Sequence, residues 1–194
     1  MLLAPWRPLL TRALDKNSIL PYSRYFQLAT VTSSGYPANR TVVFRGFLDD
    51  TNQLKIITDY RSEKVEQIKH ESWGEACWYF PNTREQFRLA GKLTLVGADY
   101  PEPKLHNARQ TTWQNLSDAT RLQFTWPNPG KVKEKEDATG SSPLPKPEKP
   151  LPNFCLVLLK PVWVDHLELK GNPHHRWLYQ LKDDEYWSTQ TINP

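Results

Sequence analysis

The chain has 194 residues, of which 24% are charged and 38% hydrophobic, and its formal net charge is +4. This length suits one sizeable core, so we expect a single domain over residues 1–194. No apolar run is long enough to span a membrane, and the N-terminus lacks the hydrophobic core of a signal peptide. The sequence therefore predicts a cytoplasmic protein with no membrane partner. The modest positive charge permits an anionic ligand without requiring nucleic acid.

Neither cysteine nor histidine shows the spacing of a metal site. Cys77 and Cys155 lie in apolar, strand-like runs without a CxxC partner, so both are predicted to be core thiols. No combination of His, Cys and carboxylate spacing fits zinc, and we expect no metal ion. The histidines that could be mistaken for haem or metal ligands are His106, His166, His174 and His175.

The first 70 residues combine helical and strand-like periodicities. Apolar residues recur at helical spacing behind Pro8, whereas alternation of apolar and polar residues marks the strands. Ser62 is a suitable N-cap for a second helix. The predicted elements are a helix at 6–15, strands at 25–32, 40–45 and 53–58, and a helix from 62 to about 70.

The rest of the chain is again rich in strand-like runs. Residues 127–152 are dominated by Pro, Lys, Glu, Gly and Ser, and are predicted to form a loop without secondary structure. A long meander of strands with inserted helices favours a mainly β protein built on a small barrel. The predicted elements are strands at 73–80 and 85–96, a helix at 103–124 whose second piece is capped at Ser117, strands at 154–159 and 162–169, and a hairpin of 177–181 and 186–190.

The segment 40–64 concentrates basic and hydroxyl-bearing side chains. Arg40 and Arg45 bound a strand-like run, and Lys64 follows the predicted helix start at Ser62. Cations, hydroxyls and free helix N–H groups are the groups that bind phosphate, so this segment is a candidate anion site. The alternative is an antiparallel pair with solvated Arg and Lys on its open face, because exposed basic residues on sheets are common.

Several segments, in order, resemble the pyridoxamine 5′-phosphate oxidase family of FMN-binding split barrels. The family pattern R-x-V-x-x-(K/R) is similar to RTVVFR at 40–45, and Y-T-x-x-x-S-x-K is similar to ITDYRSEK at 57–64. A glutamine follows at Gln86, and HRWLY at 175–179, preceded by His174, resembles the late motif H-x-R-(F/I)-x-(Y/F). The Trp- and Pro-rich middle of the chain looks like a cyanobacterial and plant subgroup of the family.

The resemblance implies a six-stranded antiparallel split barrel, flanked by helices, that binds FMN at a homodimer interface. Arg40 and Lys64 would hold the phosphate, and Arg176 from the other subunit would approach the pyrimidine side of the flavin. Arg45 and His174 would face a small-molecule substrate, which can be anionic. The implied cofactor-binding residues are Arg40, Thr41, Val42, Val43, Phe44, Arg45, Ile57, Thr58, Ser62, Lys64, Gln86 and Arg176.

The chain also departs from the family pattern. Glu63 replaces a basic residue before the lysine, and Arg61 is expected to compensate for it. Asn172 stands at a substrate arginine, and the tryptophan expected over the flavin is replaced around Leu167. The substrate-phosphate cluster of the family has no clean counterpart among Asn107, Arg109 and Ser117.

The function implied by the resemblance is an FMN-dependent oxidoreductase that oxidises a CH–NH2 or CH–OH donor with oxygen. The flavin carries this chemistry, so no catalytic side chain of the protein is predicted. Two alternatives stay open: a non-enzymatic flavin or haem carrier on the same barrel, and a nucleic-acid stacking platform. The second is disfavoured, and no nucleic-acid partner is expected, because 21 acidic residues are interleaved with the basic ones.

Overall fold

A computed structural model describes residues 3–133, 142–183 and 186–194. Among these residues, no helix has the length and apolar character needed to cross a bilayer. The elements in chain order are α1 (Trp6–Lys16), β1 (Tyr25–Val31), β2 (Pro37–Val43), β3 (Leu54–Asp59), α2 (Glu63–His70), β4 (Trp73–Phe80), β5 (Glu85–Val96), α3 (Pro103–Gln114), α4 (Asp118–Leu122), a 3-10 turn (Gln123–Thr125), β6 (Phe154–Glu168), β7 (His175–Lys182) and β8 (Tyr186–Ile192).

Six of the strands form a closed antiparallel ring. Hydrogen-bonded neighbours run in the order β2, β1, β4, β5, β6, and β3 also pairs with β6. The ring closes between β2 and β3, where the amide of Arg45 donates to Lys55 O and the amide of Lys55 donates to Gly46 O, both at 2.8 Å. The six-stranded split barrel with flanking helices is therefore confirmed. Strands β7 and β8 extend the sheet beyond β6, which gives eight strands in the described residues.

Strand β6 is one continuous element, whereas the sequence predicted two strands at 154–159 and 162–169. Its first half pairs with β3 and its second half with β7, so this long strand is where the barrel splits. The register with β5 shifts next to Gly91, which lies opposite Pro161. A proline lacks the N–H of a regular ladder and is tolerated at such a bulge. A Cβ on Gly91 would lie 2.0 Å from Lys160 O, so only glycine allows the strands to approach here.

The barrel core follows from the alternation along its strands. In β1, Phe26, Leu28 and Thr30 are buried while their neighbours are exposed or half-buried. Helix α1 covers one part of the core, where Trp6 packs edge-on against Trp187 at 5.9 Å. Of six aromatic residues on or near the barrel, Trp78, Phe80 and Phe124 are buried, whereas Trp73, Tyr79 and Trp126 are more than 40% exposed.

The Pro-rich segment is held against helix α3 at its C-terminal end. Residues 127–133 and 142–152 contain turns and bends but no helix or strand, and residues 134–141 lie outside the described structure. Three side chains of α3 donate to backbone carbonyls of this segment: Trp113 Nε1 to Lys146 O at 3.0 Å, Gln110 Nε2 to Glu148 O at 2.8 Å, and Arg109 Nη2 to Leu151 O at 2.8 Å.

Candidate functional site

The end of β3 and the start of α2 bring a lysine onto two hydroxyl groups. Lys64 Nζ donates to Thr58 Oγ1 at 2.9 Å and to Ser62 Oγ at 3.3 Å, and the two hydroxyl oxygens are 3.1 Å apart. Ser62 begins the helix in extended conformation, and its carbonyl accepts from the amide of Val65. Burial lowers the pKa of Lys64, and the nearby charge of Arg40 lowers it further. The local fold therefore places the lysine cation against the uncharged oxygen atoms of two hydroxyl groups.

Arg40 lies close to this lysine, on the inner side of β2. Its Nη1 donates to Leu28 O at 3.2 Å and to Thr30 Oγ1 at 2.5 Å, and its Nη2 donates to Gln67 Oε1 at 2.7 Å. Burial lowers the pKa of Arg40, and the charge of Glu63 opposes that effect. All three acceptors are uncharged, so the positive charge of Arg40 is positioned without being neutralised at contact distance.

Arg45 follows β2 at the edge of the same region. Its Nε is buried and has no hydrogen-bond partner among the described residues. Burial lowers its pKa, the charge of Tyr25 opposes the shift, and Arg24 adds to it. A buried donor without an acceptor is costly, and an anionic ligand would satisfy it.

These elements enclose a cleft of about 260 Å³. Seven of the predicted cofactor residues line it, so the structure brings the segments 41–45 and 57–64 together as expected. The other five are not part of its wall. Arg40 and Ser62 lie beside it, the Phe44 ring packs in the core against Trp78 at 5.1 Å, and Gln86 and Arg176 lie elsewhere on the sheet. The lining residues are Thr41, Val42, Val43, Arg45, Ile57, Thr58, Asp59, Lys64, Thr120, Gln123 and Phe124.

One wall of the cleft, formed by Thr120, Gln123 and Phe124, was not predicted from the sequence. These residues come from α4 and the 3-10 turn, about 60 residues beyond β3 in the chain. Their position is set by Asn153, whose Nδ2 donates to Phe124 O at 2.9 Å and to Asp59 Oδ2 at 2.8 Å. No local pattern in the sequence signals this long-range contact.

Arg61 does not compensate for Glu63 in the way that was expected. Its Nε and Nη2 donate to the two carboxylate oxygens of Asp59 at 2.9 and 2.6 Å, and Nη2 also donates to Trp126 O at 3.0 Å. Burial pushes the pKa of Asp59 up, but the hydrogen bonds from Arg61 bring it below its ordinary value. The guanidinium of Arg61 is thus occupied by a carboxylate and a carbonyl.

Gln86 and Arg176 lie on a different part of the sheet. Both flank Leu167 of β6, which pairs with Gln86 on one side and with Arg176 on the other. Arg176 forms a two-point ion pair with the buried carboxylate of Asp165, at 2.9 and 2.7 Å. Together with the exposed His174 before β7, these residues are outside the cleft wall of their own chain.

The buried arginine of α3 is hydrogen-bonded to backbone carbonyls of the protein. Arg109 is 3% exposed and donates through Nε and Nη2 to Phe154 O, and through Nη2 to Leu151 O. Ser117 caps α4 by accepting from the amide of Thr120. These hydrogen bonds of Arg109 and Ser117 are all made within the protein.

The cysteines show no sign of activation. Burial raises the pKa of Cys77, and it raises that of Cys155 to about 12. Both thiols are free. In the described ranges, no group of three or more His, Cys, Asp or Glu side chains could hold a metal ion.

The fold is an antiparallel split barrel, and its cleft between β2, β3 and α2 is lined by cationic and hydroxyl-bearing side chains. The family described as pyridoxamine 5′-phosphate oxidase, FMN-binding domain, matches residues 3–97. The chain is 38% identical over 193 residues to pyridoxine/pyridoxamine 5′-phosphate oxidase 2 of Arabidopsis thaliana, with 98% of each chain covered. It therefore belongs to this family of FMN-binding proteins, and its cofactor is FMN.

Solved structures agree with this assignment. A pyridoxamine 5′-phosphate oxidase-related, FMN-binding protein from Nostoc punctiforme is 58% identical, with a TM-score of 0.96 over 100% of both chains. PhzG from Burkholderia lata, solved with tetrahydrophenazine-1-carboxylic acid, has a TM-score of 0.79 at 19% identity, covering 96% of this chain and 91% of its own. At that identity the likeness concerns the fold alone.

The residues of the cleft fit the cofactor. A flavin mononucleotide combines a phosphate of nearly two negative charges with a flat ring. Lys64 with its two hydroxyl groups suits the phosphate. The apolar side chains of Val43, Ile57 and Phe124 in the cleft wall suit the ring.

Proposed function

We propose that this protein is an FMN-dependent oxidoreductase that works as a homodimer in the cytoplasm and oxidises a CH–NH2 or CH–OH donor with oxygen. The observation that carries the proposal is the pair of partly buried cations, Arg40 and Lys64, held only by neutral hydrogen-bond partners. The name of the Arabidopsis relative supports a substrate of the pyridoxamine or pyridoxine 5′-phosphate class.

In this proposal, Arg40 and Lys64 bind the FMN phosphate, assisted by the hydroxyl groups of Thr58 and Ser62. Charge-assisted hydrogen bonds of this kind are about twice as strong as neutral ones, so they account for cofactor retention. The backbone strip from 41 to 45 and the side chain of Ile57 lie along the ring. The bound cofactor would supply hydride-accepting chemistry at its ring, with oxygen as the electron acceptor and hydrogen peroxide as its reduced product.

Two features support a second copy of the chain at the site. Gln86 and Arg176 flank Leu167 on the sheet and do not line the cleft of their own chain. Next to Gln86, the side chain of Tyr79 is 47% exposed on the same strand pair. In a homodimer this sheet surface meets the cleft of the other protomer, so that Gln86 and Arg176 reach the rim of the flavin.

Substrate binding is assigned to Arg45 and His174. The buried Nε of Arg45 needs an acceptor, which favours a substrate that carries a phosphate or carboxylate group. His174 precedes β7 and is exposed, so a ligand can approach it. No protein nucleophile is needed, and the protein binds, orients and shields the reacting groups.

A direct test begins with the absorption spectrum and mass of the purified protein. We expect a flavin spectrum, a dimer, and one FMN per chain. Turnover is then measured as hydrogen peroxide release with pyridoxamine 5′-phosphate and pyridoxine 5′-phosphate. A strictly monomeric protein that nevertheless retains FMN would rule out the shared site, and FMN binding without peroxide release would rule out the proposed substrate class.

Two observations favour a second candidate, a flavin carrier on the same barrel. Arg109 donates through Nε and Nη2 to backbone carbonyls, and Asn172 stands where the resemblance implies an arginine for the substrate. A carrier would bind FMN tightly yet show no peroxide release with amine or alcohol donors of any charge. The substrate panel of the turnover experiment therefore separates the two functions.

A further inference from the structure

Two buried polar side chains near the cleft are not explained by the roles given so far. Thr30 of β1 is 2% exposed and Gln67 of α2 is 5% exposed. Burying a hydroxyl or an amide is unfavourable unless it is hydrogen-bonded. The hydroxyl of Thr30 donates to Gln67 Oε1 at 2.6 Å, and both oxygen atoms accept from Arg40. The three side chains thus form one closed group.

This group leaves part of the Arg40 guanidinium free. A guanidinium has five N–H donors. Nη1 donates to Leu28 O and Thr30 Oγ1, and Nη2 donates to Gln67 Oε1. Among the described residues, Nε and the second hydrogen of Nη2 form no hydrogen bond, so one side of the planar fork remains for two oxygens of a phosphate.

The hydrogen-bond acceptors around Arg40 are neutral, and their neutrality determines whether the guanidinium can bind an anion. A carboxylate at the position of the Gln67 amide would hold the guanidinium equally well but would cancel its charge. The amide and the hydroxyl fix the guanidinium while the positive charge stays available to an anion. Gln67 also lies three residues after Lys64 on α2, so the same contact ties the helix that carries Lys64 to β1 and β2.

We propose that Thr30 and Gln67 are positioning residues for the cofactor phosphate, which hold Arg40 beside Lys64 without neutralising it. This inference rests on the phosphate-binding role of Arg40 given under the proposed function. Neither residue lines the cleft. Each acts through the orientation of Arg40, and the recognition of the phosphate is therefore expected to depend on them whereas recognition of the flavin ring is not.

The test compares FMN with riboflavin, which carries the same ring without the phosphate. The full-length protein is stripped of flavin, and both ligands are titrated by the quenching of flavin fluorescence. The variants Thr30→Val and Gln67→Met keep the approximate side-chain volume and remove the acceptor. We expect each to weaken FMN binding about tenfold and to change riboflavin binding less than about twofold.

A third variant separates the effect of the position of the Arg40 guanidinium from the effect of its charge. Gln67→Glu keeps an acceptor for Arg40 but adds a negative charge next to it. We expect the ratio of FMN to riboflavin affinity to fall about tenfold in this variant as well, while its midpoint of urea unfolding without flavin is no lower than that of the parent. A role in packing alone cannot produce a loss of phosphate recognition in a chain of undiminished stability.

The matched control is Thr112→Val in α3. Thr112 is 7% exposed, and its hydroxyl donates to Ala108 O within the helix, far along the chain from Arg40. The affinity ratio is expected to be unchanged in this variant. Equal losses for FMN and riboflavin in the Thr30 and Gln67 variants, or no loss in either, would overturn the inference.

The affinity ratio of the variant Arg40→Met is measured in parallel. It separates the positioning role of Thr30 and Gln67 from the phosphate-binding role of Arg40. A lowered affinity ratio in Arg40→Met with unchanged ratios at Thr30 and Gln67 would refute the positioning role alone. An unchanged ratio in Arg40→Met would refute both the positioning role and the phosphate-binding role of Arg40.

Discussion

The basic residues of the cleft differ from those on the sheet surface in the groups that hold them. At the cleft, Lys64 is bound by two hydroxyl groups and Arg40 by a hydroxyl, an amide and a carbonyl. On the sheet, Arg176 and Arg88 share the carboxylate of Asp165, which is 3% exposed. A cation held by neutral groups keeps its charge available to an anion such as the proposed FMN phosphate, whereas the charges of Arg176 and Arg88 are balanced within the sheet.

The largest expected effect is on the cleft side of this comparison. Replacing Lys64 by methionine removes the cation that contacts Thr58 and Ser62, and should weaken FMN binding by about 2 kcal/mol, roughly thirtyfold. Titration of the flavin-free protein with FMN measures the change. Lys69→Met is the control, because Lys69 lies on the same helix but pairs with the exposed Glu66. Equal affinities in the two variants would contradict the assignment.

Removing the charge of Asp165, which pairs with Arg176 and Arg88 on the sheet, is expected to change the stability of the protein rather than its recognition of phosphate. Asp165→Asn removes the charge that balances Arg176, whereas Arg88 keeps Glu75 at 2.5 Å; it should lower the free energy of unfolding by about 2 kcal/mol. Urea unfolding measures this loss, and the ratio of FMN to riboflavin affinity should not change.

Glu66→Gln provides the reference for Asp165→Asn. It breaks an exposed ion pair with Lys69, and should cost less than about 0.5 kcal/mol. If the two variants unfold at the same urea concentration, the Asp165 cluster is not a stabilising feature. If Asp165→Asn alters phosphate recognition, the separation of the two regions fails.

A smaller effect is expected from pH. In the flavin-free protein, burial and Arg40 hold the pKa of Lys64 below the ordinary lysine value of 10.5. The group loses its charge as pH rises through this lowered pKa, so FMN affinity should fall with rising pH before an ordinary lysine would titrate. The second phosphate proton is already lost above a pH of about 6, so it does not contribute there.

The control for this pH dependence is Lys64→Arg. A guanidinium stays charged over the whole range, so the alkaline loss of FMN affinity should disappear in this variant. Riboflavin affinity should be independent of pH over the same range in both proteins. An alkaline loss that persists in Lys64→Arg would assign it to another group.

The smallest expected effect concerns Glu63, whose charge acts on Arg40. Glu63→Gln should raise FMN affinity about twofold at low ionic strength, and the gain should vanish at about 1 M salt because exposed charges are screened. Glu66→Gln carries the same change of charge on the next turn of α2 and should leave FMN affinity unaltered. A gain that resists salt would exclude long-range repulsion as its cause.

Much of the fold could be predicted from local patterns. Strands β4 and β5 were predicted with the same bounds that the structure has, β4 from a nearly continuous apolar and aromatic run and β5 from the alternation of apolar and polar residues. The prediction was wrong at β6, where two separate strands were expected on either side of Pro161. A bulge opposite Gly91 keeps the strand continuous, and that pairing is invisible without the neighbouring strand.

The candidate site was predictable only in part. The segments 40–45 and 57–64 contain most of the residues that line the cleft, so their types and order pointed to it. The wall from Thr120 to Phe124 was missed because it reaches the cleft through the contacts of Asn153. Arg61 was expected to help with the phosphate, but the carboxylate of Asp59 is a nearer partner.

The sequence by itself determined the alternation that makes a barrel, the inventory of cations and hydroxyl groups, and the likeness to FMN-binding proteins. Only the tertiary structure decided which cations keep an available charge. The partners of Arg40 are 10, 12 and 27 residues away, and the Glu85 carboxylate reaches Arg12 and His166 across 73 and 81 residues. Charge balance depends on distances of a few ångströms between such remote residues, and the folded barrel alone sets those distances.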